Sequence, residues 1–84
     1  MSTFADPQAI MQEAYRHLED ARYQAAALGF ALARQAARTQ GERAMAFKAG
    51  VREVASWMYH GDVRRVREML LELLIAPPPD AQVY

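Results

Sequence analysis

Two histidines and their acidic neighbours are the residues of this sequence that could hold a metal ion. Glu13 and His17 are one helical turn apart and Asp20 follows three residues later, so the three side chains can share one helix face. Imidazole and carboxylate groups are ligands that zinc and other transition metals accept. Glu–His neighbours are nevertheless common on solvated helix faces, and further ligands would have to come from elsewhere. We therefore predict no metal and no other cofactor.

The hydroxyl side chains offer no convincing nucleophile. Ser2 is next to the N-terminus, Ser56 lies inside a predicted helix, and Thr39 is better explained as a helix cap. Nucleophilic catalysis also requires a nearby base that activates the nucleophile. We therefore predict that the protein is not an enzyme.

Aromatic and basic residues in the last third of the chain point to binding instead. Tryptophan, tyrosine and arginine dominate the energetics of protein interfaces. An aromatic cluster at the end of the third predicted helix is followed by a basic edge that contains a leucine. We predict that a protein partner is bound by Trp57, Tyr59, Arg64, Arg67 and Leu71. The alternative for Trp57 is that it packs against the core.

Composition and charge restrict the class of protein. The 84 residues include no cysteine, which fits a cytoplasmic protein, and no signal peptide or membrane span is expected. The net charge is zero, but residues 1–20 carry −3, residues 21–67 carry +6 and residues 68–84 carry −3. The basic middle leaves a nucleic-acid-associated regulator as the alternative function, although zero net charge does not favour it.

An alanine-rich segment, Arg22 to Arg38, is predicted to be the central helix. Its small residues recur every fourth position, so a neighbouring backbone can approach closely on that side: Ala25, Gly29, Ala33 and Ala37. Phe30 and the leucines are expected to pack its flanks. Because alanine buries little area, a chain this short is expected to complete its core by forming a homodimer.

The first helix is predicted to start at Asp6-Pro7, with Asp6 as the N-cap. We expect it to break between Glu19 and Arg22, where Asp20 would cap the second helix. A single helix from Pro7 to Arg38 is the competing interpretation, because neither glycine nor proline separates the two segments.

Capping patterns place two further helices. Thr39 and Glu42 form a capping-box pattern before a helix that ends near Tyr59, with an apolar stripe of Phe47, Val51, Val54 and Met58. Gly61 is expected to end this helix, and Asp62 to cap a fourth from Val63 to about Ala76. The buried stripe of the fourth helix would comprise Val66, Met69, Leu70, Leu73 and Leu74, with Leu71 outside it.

These elements predict an all-α domain over residues 1–76 and an extended tail over 77–84, led by Pro77-Pro78-Pro79. The helices would form a four-helix bundle or two stacked helical hairpins. The small–aromatic–small spacing of Ala26, Phe30 and Ala33, and Trp57 before Gly61, loosely resemble the tetratricopeptide family, which implies a protein-binding surface. The two similar stretches start about 40 residues apart rather than the family's 34, and the first lacks its turn glycine.

A fainter similarity links the central helix to bacterial helical domains that include toxin ribonucleases. The seven residues between Arg52 and His60 are more than those nucleases have between their arginine and histidine, so no catalytic role carries over. We predict a small non-enzymatic interaction module or adaptor that self-associates.

Overall fold

A computed structural model describes residues 6–75, with side chains placed up to residue 72, and this part of the chain contains four helices and no strand. The helices are α1 (Pro7–Glu19), α2 (Tyr23–Thr39), α3 (Arg43–His60) and α4 (Val63–Ile75). Each packs antiparallel against the next, whereas α1 and α4 are not in contact, so the fold corresponds to two stacked hairpins. The domain is a slab of 37 × 35 × 16 Å. The all-α prediction is confirmed, while the predicted 77–84 tail lies outside the described residues.

Four predicted helix ends are confirmed. The Gln8 N–H donates to the Asp6 carboxylate at 3.0 Å, and α1 ends before Asp20, so the first two helices are separate. Gly61 ends α3 in the left-handed conformation, with a φ of 91°, which glycine adopts without steric cost. The Arg65 N–H donates to the Asp62 carboxylate at 3.1 Å, as expected for the N-cap of α4.

Two predicted caps are wrong. Arg22, not Asp20, is the N-cap of α2, and its side chain makes no capping hydrogen bond. The Thr39–Glu42 capping box is not formed because α2 continues to Thr39, whose hydroxyl donates to the Gln35 carbonyl at 2.9 Å. A helical threonine bonds back to the carbonyl one turn earlier, so its side chain is not available to the following helix. The third helix consequently starts at Arg43.

The predicted small-residue side of α2 is the contact surface for α1. Ala33 and Ala37 are fully buried, and α1 comes so close at Gly29 that a Cβ there would lie 2.8 Å from the Ala14 Cβ. Phe30 fills the adjoining core, where its ring meets the Tyr15 ring edge-on at a centroid distance of 5.0 Å. The small residues therefore let two backbones approach, and Phe30 is the largest fully buried side chain beside them.

Several residues predicted to be buried are exposed instead. The side of α3 that packs inward consists of small residues together with Glu53, Val54 and Trp57, so Val51 and Met58 of the predicted stripe face outward. On α4 the expected core residue Leu70 is 46% exposed. The leucines of α2 are also exposed: Leu28 and Leu32. No helix in residues 6–75 is long and apolar enough to cross a lipid bilayer.

Candidate interaction surface

The exposed side of α4 carries three of the five residues predicted to bind a partner. Arg64, Arg67 and Leu71 recur at intervals of three and four, which places them on one helix face, and all three are exposed. Arg64 is 3.5 Å from Glu68, whereas Arg67 makes no ion pair with a described residue. Leu71 is 55% exposed. This face of α4 is therefore basic and contains one apolar side chain, as the sequence predicted.

An apolar strip adjoins this face and was not among the predicted site residues. Val51 and Met58 are seven residues apart on α3, and Val63 and Leu70 are seven residues apart on α4, so each pair shares a helix face. All four side chains are exposed, and Val63 reaches 70%. We call these four residues the apolar flank. Helical periodicity alone could not identify it, because a stripe with this spacing fits a buried helix face equally well.

The two helices that carry the apolar flank are held together by a separate apolar cluster. Val54 and Trp57 of α3 pack against Val66 and Met69 of α4. Helix geometry places the apolar flank on one side of this contact and Glu53 on the other. Two distinct surfaces therefore border α4.

The two predicted aromatic site residues lie apart from the face formed by Arg64, Arg67 and Leu71. Tyr59 is exposed and stacks on Tyr23 at the start of α2, with ring centroids 5.4 Å apart. Trp57 is only 2% exposed, and the Arg65 guanidinium carbon lies 4.3 Å from the centroid of its ring. A partner could reach the Trp57 ring only if Arg65 moved, so its role in binding stays a prediction.

A polar cleft of about 620 Å³ lies on the other side of the α3–α4 contact. Its lining consists of Glu53, Trp57, Asp62, Arg64, Arg65, Glu68 and Met69. Glu53 is the buried member, with a side chain only 9% exposed. Arg34 approaches it from α2, with Nη2 3.4 Å from the Glu53 Oε1 and Nη1 3.7 Å from the Glu72 Oε2 on α4. One arginine thus links three helices.

The contacts of the Glu53 carboxylate do not fully compensate for the loss of its hydration on burial. Burial raises the pKa of Glu53 above its ordinary value of 4.5, against the opposing effects of the Arg34 charge and a hydrogen bond from Trp57. Its Oε1 atom is buried and has no hydrogen-bond partner, since the Arg34 contact does not have hydrogen-bond geometry. Sequence reasoning missed Glu53, because a glutamate in a helix is ordinarily solvated.

The other candidate chemistries receive little support from the geometry. Glu13 and His17 lie 3.9 Å apart, but within residues 6–75 no three His, Asp or Glu side chains are grouped closely enough to hold a metal ion. Several basic residues of the middle segment contact their own chain: Arg34 as described, Arg52 over the Tyr15 ring at 5.8 Å, and Arg65 over Trp57. The basic segment is therefore partly engaged inside the domain.

Comparison with known proteins adds no relative. No protein-family model matches the chain, and neither a curated protein nor a solved structure is significantly similar to it.

Proposed function

We propose that this protein is a small non-enzymatic interaction module that self-associates through the apolar flank and the adjoining outer face of α4. The observation that carries the proposal is the exposure of the apolar flank on two neighbouring helices, next to Leu71. Contiguous apolar surface of this kind marks protein–protein contact sites. The residues proposed to bind are therefore Arg64, Arg67 and Leu71 from the sequence, together with the apolar flank.

The apolar flank and the small core favour a second copy of the chain as the occupant. The buried core of the described residues consists largely of alanine, which buries little area, so a chain of 84 residues gains stability when it buries further apolar surface against a copy of itself. A twofold interface places the same patch of both copies against each other, and the apolar flank is suited to this because all four of its side chains are apolar. Tyr59, on the far side of α3, would remain free for a different partner of an adaptor.

Sedimentation equilibrium of the wild-type chain and two leucine variants tests the proposal. We expect a dimer for the wild type and a monomer for Leu70→Glu, because the variant places a charge inside the proposed contact. Leu32→Glu is the matched control, since Leu32 is 61% exposed on α2, away from the apolar flank. It should remain dimeric. A wild-type monomer at all accessible concentrations, or equal dissociation of the two variants, would contradict self-association through this surface.

The same sample distinguishes the alternative function. A regulator that binds nucleic acid through the basic central segment should be retained on a DNA or RNA column and released by salt, because phosphate contacts release counterions. The interaction module should pass through. Retention that is lost when Arg38 and Lys48 are both replaced by glutamine would favour the regulator.

A further inference from the structure

The polar cleft between α3 and α4 contains the two elements of a cation-binding site. Trp57 presents a ring face toward the cleft, and the Arg65 guanidinium already occupies that face at 4.3 Å. Glu53 lines the same cleft, and its buried Oε1 lacks a hydrogen bond. An aromatic face and a desolvated carboxylate are the groups that bind guanidinium ions most strongly in proteins.

We propose that this cleft binds the guanidinium group of an arginine side chain from a partner protein, and that Arg65 occupies the site when no partner is present. The incoming group stacks on Trp57 in place of Arg65 and donates a hydrogen bond to the Glu53 Oε1. Arginine fits both contacts because its planar guanidinium stacks on rings and donates several N–H groups in one plane. The site lies across α4 from the apolar flank, so it goes beyond self-association.

Arg65 is placed so that it can leave the ring. Its side chain is 53% exposed, and its ion pair with Asp62, 3.3 Å long, lies at the solvent-facing start of α4. Asp62 remains satisfied when Arg65 moves, because its other carboxylate oxygen still accepts the Arg65 backbone N–H. The exchange frees the Trp57 ring face, and the incoming group then approaches the buried Glu53 Oε1 alongside Arg34.

Arg34 does not satisfy the same carboxylate fully. It approaches Glu53 from α2 and divides its guanidinium between Glu53 and Glu72. The Glu53 Oε1 therefore has a charged neighbour but no hydrogen bond, and this is the contact that a second guanidinium would supply.

The proposal is tested with the peptide acetyl-Gly-Arg-Gly-amide and with its citrulline counterpart, which has nearly the same shape but no charge. Trp57 is the sole tryptophan, so its fluorescence and its indole N–H resonance report on the cleft directly. We expect the arginine peptide to shift both signals to saturation and the citrulline peptide to shift neither. Equal binding of the two peptides, or no response of Arg65→Gln to the arginine peptide, would overturn the proposal.

The peptide affinity of a variant without the Arg65 charge tests whether Arg65 occupies the site. Arg65→Gln removes the resident cation and should tighten peptide binding by about fivefold, because a cation on an exposed aromatic ring contributes a modest free energy. Arg16→Gln is the matched control, because Arg16 pairs with an acidic residue three positions earlier, as Arg65 does, but lies on α1 and does not line the cleft. It should leave the affinity unchanged. An affinity of Arg65→Gln no higher than that of Arg16→Gln would contradict the proposed exchange.

Loss of the Glu53 charge should weaken binding. Glu53→Gln is expected to reduce affinity by about tenfold, as for a lost charge-assisted hydrogen bond, and circular dichroism verifies its helical fold. Unchanged affinity in the folded variant would overturn the role of Glu53. If the variant does not fold, the comparison of Arg65→Gln with Arg16→Gln still decides the proposal. Because the Leu70→Glu variant alters the opposite flank, a failure of self-association and a failure of peptide binding can be distinguished.

Discussion

Glu53 is the residue whose surroundings differ most from those its type prefers. Its side chain is 9% exposed, its Oε1 lacks a hydrogen bond, and burial raises its pKa above 4.5. The raised pKa means that the folded chain holds this proton more tightly than the unfolded chain does. The stabilising effect of protonation is therefore complete below about pH 4.5 and is lost as the pH rises through the raised pKa.

Replacement of Glu53 by glutamine should therefore stabilise the domain at neutral pH. We expect the melting temperature at pH 7 to rise by about 2–4 °C, which corresponds to about 0.5 kcal/mol in a domain of this size. The difference from the wild type should shrink as the pH falls toward 4.5, where the wild-type carboxyl is protonated when folded. Thermal melts of both proteins across this range measure the effect. A constant difference at all pH values would mean that Glu53 does not titrate differently on folding.

The sequence predicted the role of a residue correctly where a single local property, such as backbone conformation or capping, determines that role. Gly61 had to adopt a positive φ, and Asp6 and Asp62 had backbone amides within reach of their carboxylates. Met58 was wrongly placed in the buried stripe and Glu53 was missed, because packing of the neighbouring helices overrides the position that each residue type suggests. The side of α3 that is buried is the side on which small residues allow α2 to come close. The hydrophobicity of single residues does not predict which side that is.

At the scale of the element, the stability of α4 depends strongly on its N-cap residue, Asp62. Asp62 accepts the Arg65 N–H, and the helix packs as a helix only against α3. Asp62→Ala should lower the free energy of unfolding by about 1 kcal/mol, the usual contribution of an N-cap. Asp62→Asn is the control, since asparagine caps equally well but cannot pair with the Arg65 charge. We expect urea unfolding of Asp62→Asn to stay within about 0.5 kcal/mol of the wild type.

The boundaries of the helices were predictable to the extent that side chains determine them. The ends at Asp6 and Gly61 follow from capping chemistry, whereas the N-cap residues of α2 and α3, Arg22 and Glu42, make no side-chain capping hydrogen bond. In both connections the chain turns through a left-handed residue, Ala21 with a φ of 59° and Gly41 with a φ of 75°. Alanine seldom adopts this conformation, so the residue type at position 21 did not predict the turn between α1 and α2.

At the scale of the whole molecule, α4 is the element most loosely attached. Helix α2 packs against α1 and α3, and α3 packs against α2, α4 and α1, whereas α4 packs against α3 alone. Its further links to α2 are the Arg34–Glu72 ion pair and the apolar cluster that includes Ala27 and Met69. Regions with few buried contacts open before the rest of a domain. We expect amide hydrogens of α4 to exchange at least about tenfold faster than those of α2.

Arg34→Gln should increase the exchange of α4 amides further while the α1–α2 hairpin changes less, because Arg34 links α4 to α2. Arg38→Gln is the control, since Arg38 lies one turn later on α2 and is exposed. Hydrogen exchange followed by mass spectrometry measures both variants. Equal protection of all four helices would show that the domain opens only as a unit.

The overall fold was more predictable than the interaction surface, for a physical reason. Four helices separated by short turns follow from periodicity and caps, and short turns require antiparallel neighbours. Which leucines and valines remain exposed depends on how the two hairpins pack against each other. No local sequence pattern predicts that packing. The similarity to tetratricopeptide repeats stays a prediction.

The sequential packing of the helices also has a consequence for how the chain folds. Every major helix contact joins neighbours in the sequence, so no long loop has to close before buried surface is gained. Helical domains with such local contacts fold in microseconds to milliseconds. The two apolar clusters, one around Phe30 and one around Trp57, both contain residues of α2 and α3, so these two helices contribute to every buried cluster of the described residues.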